Sequence, residues 1–269
     1  MFQRKRGANI STNRCLFICS LVVTSWFIFF LNNAKAEQLI MSNIDSRIFL
    51  ALSVNQLALQ PWLPDSWKVN PIAKGPLKDT NLFMLFFDRL IHQDDQGKPA
   101  AGGTYRGGAL LILAKHSQSG ITAMFAVRTF TPHEDINVYN PYKVGVPVTI
   151  RYEHSLEAKN FEPGIVKEFW EMKTSEGGEI KLTLEYKRAV PHRENQVLKP
   201  RSAVDPDYYR IYRVDRCIDL IKSIHNDIDR VQKFRLRVTV KELGKMFDGN
   251  EKIIGILSNP YYNRRTYHP

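Results

Sequence analysis

A tyrosine and a lysine stand side by side in the segment Asn140-Pro141-Tyr142-Lys143-Val144-Gly145-Val146-Pro147, and together they could act as an amine catalyst. A neutral lysine amine attacks a ketone to form a Schiff base. Burial in an apolar cavity lowers a lysine pKa by up to about 3–5 units, which would make Lys143 reactive at neutral pH. Tyr142 could orient a ligand or donate a proton. The alternative is a solvated Lys143 beside a proline turn, or one paired with Glu134 or Asp135.

A second group of candidate residues lies upstream, in the glycine-rich stretch Gly102-Gly103-Thr104-Tyr105-Arg106-Gly107-Gly108. The stretch lacks the Gly-Lys-Ser/Thr ending of a phosphate-binding loop, so it predicts a hairpin turn. If Arg106 faces the same cavity as Lys143, its charge would lower the lysine pKa further and would anchor a substrate carboxylate. Arg106 and its neighbour Tyr105 are therefore candidate substrate-binding residues.

Other classes of function find no support in the sequence. The seven histidines show no metal-binding spacing, and His133-Glu134-Asp135 is typical of a polar loop. A Gly-x-Ser-x-Gly elbow of the hydrolase kind is absent. Arg235 and Arg237 give one strand a basic face, but without the aromatic residues that bind nucleic acid. We expect no metal, no cofactor and no nucleic-acid partner.

The first 36 residues predict an export signal. Four basic residues precede an uncharged, largely apolar run from Cys15 to Asn33, and Ala34-Lys35-Ala36 fits the small-x-small rule for cleavage before Glu37. An uncleaved anchor is the alternative, because the run reaches the lower limit of about 18 residues for a membrane span. Removing the five basic residues of this segment lowers the formal net charge from +11 to +6. We expect an exported chain, periplasmic or secreted, with no other membrane contact.

The remaining residues, 37–269, predict a single β-rich α+β domain. Ile180 to Lys187 alternate apolar and polar residues with a period of two, as do Lys233 to Val240, and other strand candidates are apolar on both faces. Helix is scarce: Ser53 could cap a short helix that ends before Pro61, and 241–247 is a second short candidate. Residues 219–230 could be helix or loop, and 191–206 resembles a polar connection. Many strands with few helices predict a curved sheet or a closed cone around an internal cavity.

Several motifs in sequence order resemble the acetoacetate decarboxylase-like superfamily. Residues 57–64 are similar to its early helix and extended segment, and 104–108 to the turn before the active-site loop. Residues 141–147 match the frame of that loop, Pro-Lys-Lys-Leu-Gly-x-Pro, and 243–251 resemble its short C-terminal helix and turn. The resemblance implies a cavity fold, homo-oligomers and Schiff-base chemistry on a small keto acid.

The chain departs from the family pattern at the residues that carry the chemistry. Tyr142 stands where the family has its Schiff-base lysine, and Lys143 stands at the second lysine. The family's active-site arginine falls near Ser53, which is therefore a further candidate substrate-binding residue, and its glutamate falls at Arg106 or Gly107. Two functions remain open: a diverged decarboxylase or lyase that uses Lys143, and a non-catalytic protein that binds a small apolar or anionic ligand. Tyr261 to Tyr267, with Arg264 and Arg265, form a basic aromatic tail that either packs on the sheet or contacts a partner.

Overall fold

The computed structural model describes residues 37–100, 102–132, 140–160 and 162–269, and Gln38–Pro269 form one compact unit. The segment 1–36, where the export signal is expected, and the loop with His133, Glu134 and Asp135 lie outside these ranges. The strands are β1 (Gln38–Ser53), β2 (Trp67–Val69), β3 (Leu82–Asp94), β4 (Tyr105–His116), β5 (Thr122–Thr131), β6 (Gly145–Glu157), β7 (Ile165–Thr174), β8 (Glu179–Lys187), β9 (His192–Leu198), β10 (Arg201–Ser202), β11 (Ile211–Ser223), β12 (Ile228–Asp229), β13 (Val231–Val238) and β14 (Lys252–His268).

Helix is confined to short pieces. The helix α1 (Gln56–Leu59) continues into a 3-10 turn at Gln60–Trp62, and a second 3-10 turn spans Lys241–Leu243. In the part of the chain that the structure describes, no helix has the length and apolar character needed to cross a bilayer.

All fourteen strands belong to one sheet. Its main path runs β12-β11-β14-β1-β3-β4-β5-β6-β7-β8-β13, while β2, β9 and β10 pair with β4, β11 and β5. The two end strands of the path, β12 and β13, do not pair with each other in the described ranges, so the sheet is curved but open. The predicted β-rich fold with a curved sheet and few helices is confirmed, and the closed cone is wrong. Exposed Lys233, Arg235 and Arg237 on β13 give a physical reason, because charged edge strands resist further pairing.

The period of two decides which side chains enter the core. On β8 every second residue is buried, with Ile180 at 1% and Leu182 and Leu184 at 0% exposure. These residues pack against the buried side chains of β1, β3 and β4, such as Leu50 and Leu110. The opposite face of β1, β3 and β4 borders a cavity, and several of its apolar side chains, such as Phe49, Phe83 and Leu111, are only half buried.

Several local predictions need correction. Asn55, rather than Ser53, caps α1, since its side chain accepts a hydrogen bond from the Leu57 amide at 3.0 Å. Ser53 is the last residue of β1. Residues 219–230 are mainly strand because β11 pairs with β14 through Ser223. The supposed connection at 191–206 contains β9, which pairs with β11.

The glycine-rich stretch is only partly a turn. Gly102 and Gly103 have positive φ angles, whereas Gly107 and Gly108 lie inside β4. A Cβ atom at Gly107 would lie 2.5 Å from Cζ of Phe87 and 2.7 Å from the Phe130 carbonyl oxygen. Gly107 is therefore required by close packing within the sheet rather than by a turn.

Candidate functional site

A cavity of about 880 Å³ lies against one face of the sheet. Its wall comes from inward-facing residues of β1, β3, β4, β5, β11 and β14, and the segments 70–77 and 196–200 complete it. Six cationic side chains line it: Arg47, Arg89, Lys199, Arg210, Arg216 and Arg264. Among the described lining residues there is no aspartate or glutamate. The cavity therefore favours anions over cations.

The buried carboxylate of Asp45 pairs with two of these cations, Arg47 and Arg89. Asp45 is fully buried and accepts hydrogen bonds from Nδ2 of Asn43 at 2.8 Å, Nε of Arg47 at 3.0 Å and Nε of Arg89 at 3.1 Å. Burial alone would raise the pKa of Asp45, but the guanidinium groups of Arg89, Arg47 and Arg264 lower it to about 2. Asp45 is thus ionised at neutral pH and fixes the positions of two arginines.

Among the described residues, Arg264 differs from those two arginines because it makes no hydrogen bond to Asp45 and bonds Asn43 instead. Its Nε donates to Oδ1 of Asn43 at 2.9 Å, and its guanidinium lies 4.3 Å from the ring centre of Tyr212. In the described ranges, neither Nη atom has a hydrogen-bond partner, although Arg264 lines the cavity and is only half buried. Three arginines around one carboxylate leave an excess of two positive charges, and Arg264 presents four N–H donors to the cavity.

The loop before β6 directs its two candidate residues to opposite sides. Tyr142 is 5% exposed and lines the cavity, where its hydroxyl shares a hydrogen bond with the hydroxyl of Tyr212. Lys143 has a positive φ of 58° and a side chain that is 70% exposed, with its amine 3.4 Å from Asp205. Asn140 stabilises this turn by accepting the Val144 amide on its side chain at 2.7 Å and the Lys143 amide on its carbonyl at 3.0 Å.

Tyr142 is held as a neutral hydroxyl. Burial, followed by the neighbouring Tyr212 hydroxyl, raises the pKa of Tyr142 well above its usual value. Its backbone carbonyl also accepts a hydrogen bond from Oγ of Ser202 at 2.6 Å, which fixes the loop against β10. At neutral pH Tyr142 can therefore orient a ligand through a hydrogen bond.

The remaining sequence candidates fall in different places. Tyr105 lines the cavity, and its hydroxyl accepts a hydrogen bond from Nη1 of Arg89. Arg106, the next residue on β4, points to the other face, where its half-exposed side chain lies 3.1 Å from Asp88. Ser53 is not among the residues that line the cavity. Tyr142 and Tyr105 therefore line the same cavity, whereas Lys143, Arg106 and Ser53 do not.

The sequence reasoning missed the arginines that line the cavity. Arg47 follows Asn43 and Asp45 at a period of two on β1, and Arg264 has the same relation to Tyr262 and Thr266 on β14. Polar residues at alternate positions of these strands could have been used to predict a row of buried charged side chains. The basic aromatic tail is in fact a central strand of the sheet, between β11 and β1, so it packs within the fold.

In the parts of the chain described above, no three His, Cys, Asp or Glu side chains lie close enough together to hold a metal ion. Two hydroxyls on the cavity wall, of Thr129 and Thr266, have no hydrogen-bond partner within those parts.

Several solved structures superpose on most of this chain. An acetoacetate decarboxylase-like enzyme from Sphingomonas wittichii RW1 superposes with a TM-score of 0.54 at 13% identity, over 86% of this chain and 92% of that chain. The enduracididine biosynthesis enzyme MppR, complexed with the condensation product of pyruvate and imidazole 4-carboxaldehyde, gives 0.52 at 10% identity, over 88% and 90%. The same enzyme complexed with pyruvate gives 0.51 at 10% identity, over 88% and 91%.

The fold is that of acetoacetate decarboxylase-like enzymes. The resemblance read from the sequence is thereby confirmed at the level of the fold. No family sequence model matches the chain. No curated protein matches it in sequence either. At these identities the likeness establishes architecture only, so the activity has to be inferred from the residues of the cavity.

Proposed function

We propose that this acetoacetate decarboxylase-like protein binds a small organic anion in its cavity and holds the anionic group with Arg264. The supporting observation is the charge of the wall: six cations line the cavity, and none of the described lining residues is acidic. Asp45 pairs with Arg47 and Arg89, and Glu194 pairs with Arg216, so the wall keeps a net positive charge. The forked N–H donors of an arginine match the two oxygens of a carboxylate. The Tyr212 ring centre lies 4.3 Å from the Arg264 guanidinium, and its hydroxyl shares a hydrogen bond with Tyr142, so these two hydroxyls are the polar groups next to the proposed anion site.

Benzoate and its neutral counterpart benzamide provide the test, by calorimetric titration of the full-length protein. We expect benzoate to bind and benzamide to bind at least tenfold more weakly, because a charge-assisted hydrogen bond contributes about 1.5–3 kcal/mol. Arg264→Gln should weaken benzoate binding about tenfold or more. Arg265→Gln is the matched control, since Arg265 is the next residue on β14 and is exposed. Equal effects of the two substitutions, or equal affinity for benzoate and benzamide, would contradict the proposal.

A lysine-dependent lyase acting on a small keto acid is the second candidate. The fold likeness to MppR, whose structure is complexed with pyruvate, and the position of Lys143 beside the cavity residue Tyr142 support it. It requires the Lys143 side chain to leave Asp205 and cross into the cavity, where desolvation would favour the neutral amine. Borohydride reduction in the presence of pyruvate or acetoacetate, followed by peptide mapping, tests it. An adduct on Lys143 supports the lyase, and an unmodified Lys143 rejects it.

Export and self-association remain proposals. We propose that residues 1–36 direct export and are cleaved after Ala36, because of the small-x-small pattern there. Intact mass of the protein from a secreting host distinguishes a chain that begins at Glu37 from one that keeps its N-terminus. Sedimentation of the same sample tests the homo-oligomer that the family resemblance implies.

A further inference from the structure

The cavity changes from charged to apolar along the strands that form it. On β3, Arg89 lies in the register of Asp45 and Tyr105, whereas Phe83 lies in the register of Ala51 and Leu111. Arg89 and Phe83 are six positions apart on β3, which corresponds to about 20 Å at roughly 3.3 Å per residue. On β3 the cavity wall is therefore cationic at Arg89 and hydrocarbon at Phe83.

The apolar part of the cavity wall is only partly covered by packing, although Phe49 contacts the rings of Phe83 and Tyr262. Phe49, Phe83, Leu111 and Leu113 are only half buried, although each lies on an interior strand with a neighbour on both sides. On the opposite face of the same strands, Leu50, Leu82, Leu110 and Ile112 are all 0% exposed. The exposed fraction of the first group thus faces the cavity, and covering it with an apolar ligand would contribute about 25 cal/mol per Å².

The volume of the cavity indicates how large a ligand it can hold. A volume of about 880 Å³ lies toward the upper end of the roughly 300–1,000 Å³ typical of pockets for drug-sized ligands. A three-carbon acid held at Arg264 would leave the phenylalanine and leucine wall uncovered. A ligand with a long hydrocarbon body would fill it.

We propose that the natural ligand is an amphipathic carboxylic acid, with its carboxylate at Arg264 and an extended acyl body along Phe49, Phe83, Leu111 and Leu113. This inference rests on the proposed anion-binding function and narrows its ligand class. Lys199 and Arg210 add positive charge to the cavity lining and favour entry of the acid as its anion.

A chain-length series tests the inference: butyrate, octanoate and dodecanoate are titrated calorimetrically into the full-length protein. Each buried methylene contributes about 0.8 kcal/mol, so we expect affinity to rise at least tenfold from butyrate to octanoate and again to dodecanoate. Leu113→Ala should weaken dodecanoate binding several-fold and leave butyrate binding unchanged. Leu57→Ala is the matched control because Leu57 is 82% exposed and does not line the cavity.

The outcomes separate this inference from the proposed function. Equal affinity for the three acids, with Arg264→Gln still weakening all of them, overturns the amphipathic ligand and leaves anion binding intact. Dodecanoate binding that neither Arg264→Gln nor Leu113→Ala weakens means that the acid binds outside the cavity, which also overturns the inference. If none of the acids binds and benzoate does not bind, both proposals fail.

Discussion

The two faces of strands β1, β3 and β4 are made of similar residues and have opposite roles. On β3, Phe86 is 0% exposed in the core between the strands and β7, while Phe83 faces the cavity and is only half buried. One face belongs to the core, and the other borders the cavity in which we propose that an anion binds. An apolar side chain contributes to folding in proportion to the surface that it removes from water, so equal residues on the two faces should respond differently to truncation.

The first prediction compares those two phenylalanines directly. Phe86→Ala should lower the free energy of unfolding by about 3–5 kcal/mol, because it leaves a void in a packed core. Phe83→Ala removes the same atoms from the cavity wall, and it should lower the free energy of unfolding by only about 1 kcal/mol. Urea denaturation of both variants measures the difference. Similar losses would mean that the cavity face is packed as tightly as the core face.

The next prediction concerns the charged end of the cavity. Asp45→Asn leaves Arg47, Arg89 and Arg264 without their shared counter-ion and should cost about 3 kcal/mol. The pKa of the native Asp45 carboxyl is about 2, below its ordinary value of 3.8, so its stabilisation is present above pH 4 and is lost as the pH falls toward 2. Acid denaturation followed by circular dichroism should show this loss in the wild type and not in the variant. Benzoate should restore part of the stability of the variant by supplying the missing negative charge.

The core contains a buried carboxyl whose pKa is raised. Glu168 is buried on β7, and burial raises its pKa to about 7 despite the hydrogen bond that it accepts from the Trp170 indole at 2.8 Å. A carboxyl with a raised folded pKa destabilises the protein as the pH rises from about 4.5 through 7. Glu168→Gln should therefore raise the free energy of unfolding by about 2 kcal/mol at pH 8 and by little at pH 5. A gain of equal size at both pH values would show that Glu168 titrates normally.

Lys143→Ala should have the smallest effect. The amine is solvent-exposed and its ion pair with Asp205 is at the surface, so the change should stay within about 0.5 kcal/mol in stability. Benzoate affinity should also be unchanged, because Lys143 does not line the cavity. Calorimetry of the variant beside Arg264→Gln provides the measurement. A tenfold loss of benzoate affinity in Lys143→Ala would show that the ligand is bound by Lys143.

The sequence predicted the fold better than it predicted the site. Alternation on β8 and β13 is plain, since each has one polar face, and the order of the loop motifs led to the correct fold. On β4, however, Leu110, Leu111, Ile112 and Leu113 read as one apolar run. Periodicity cannot tell which of its faces meets the core and which meets a cavity, because that depends on strands far along the chain.

The site was harder to predict for two further reasons. Asp45 and Arg47 lie on one strand, but Arg264 is far from both in sequence and joins them only because β14 pairs with β1, a contact that spans most of the domain. Adjacent residues in a loop can also point in opposite directions: the positive φ of Lys143 turns its side chain outward while Tyr142 points inward. A match between sequence motifs does not show in which direction each side chain points.

A crystal structure of the protein with 4-bromobenzoate, located by the anomalous signal of bromine, tests the central claim most directly. We predict the carboxylate within about 3 Å of the Nη atoms of Arg264 and the bromine directed toward Phe83. A carboxylate at the Lys143 amine, or a ligand outside the cavity with Arg264 untouched, would contradict the account.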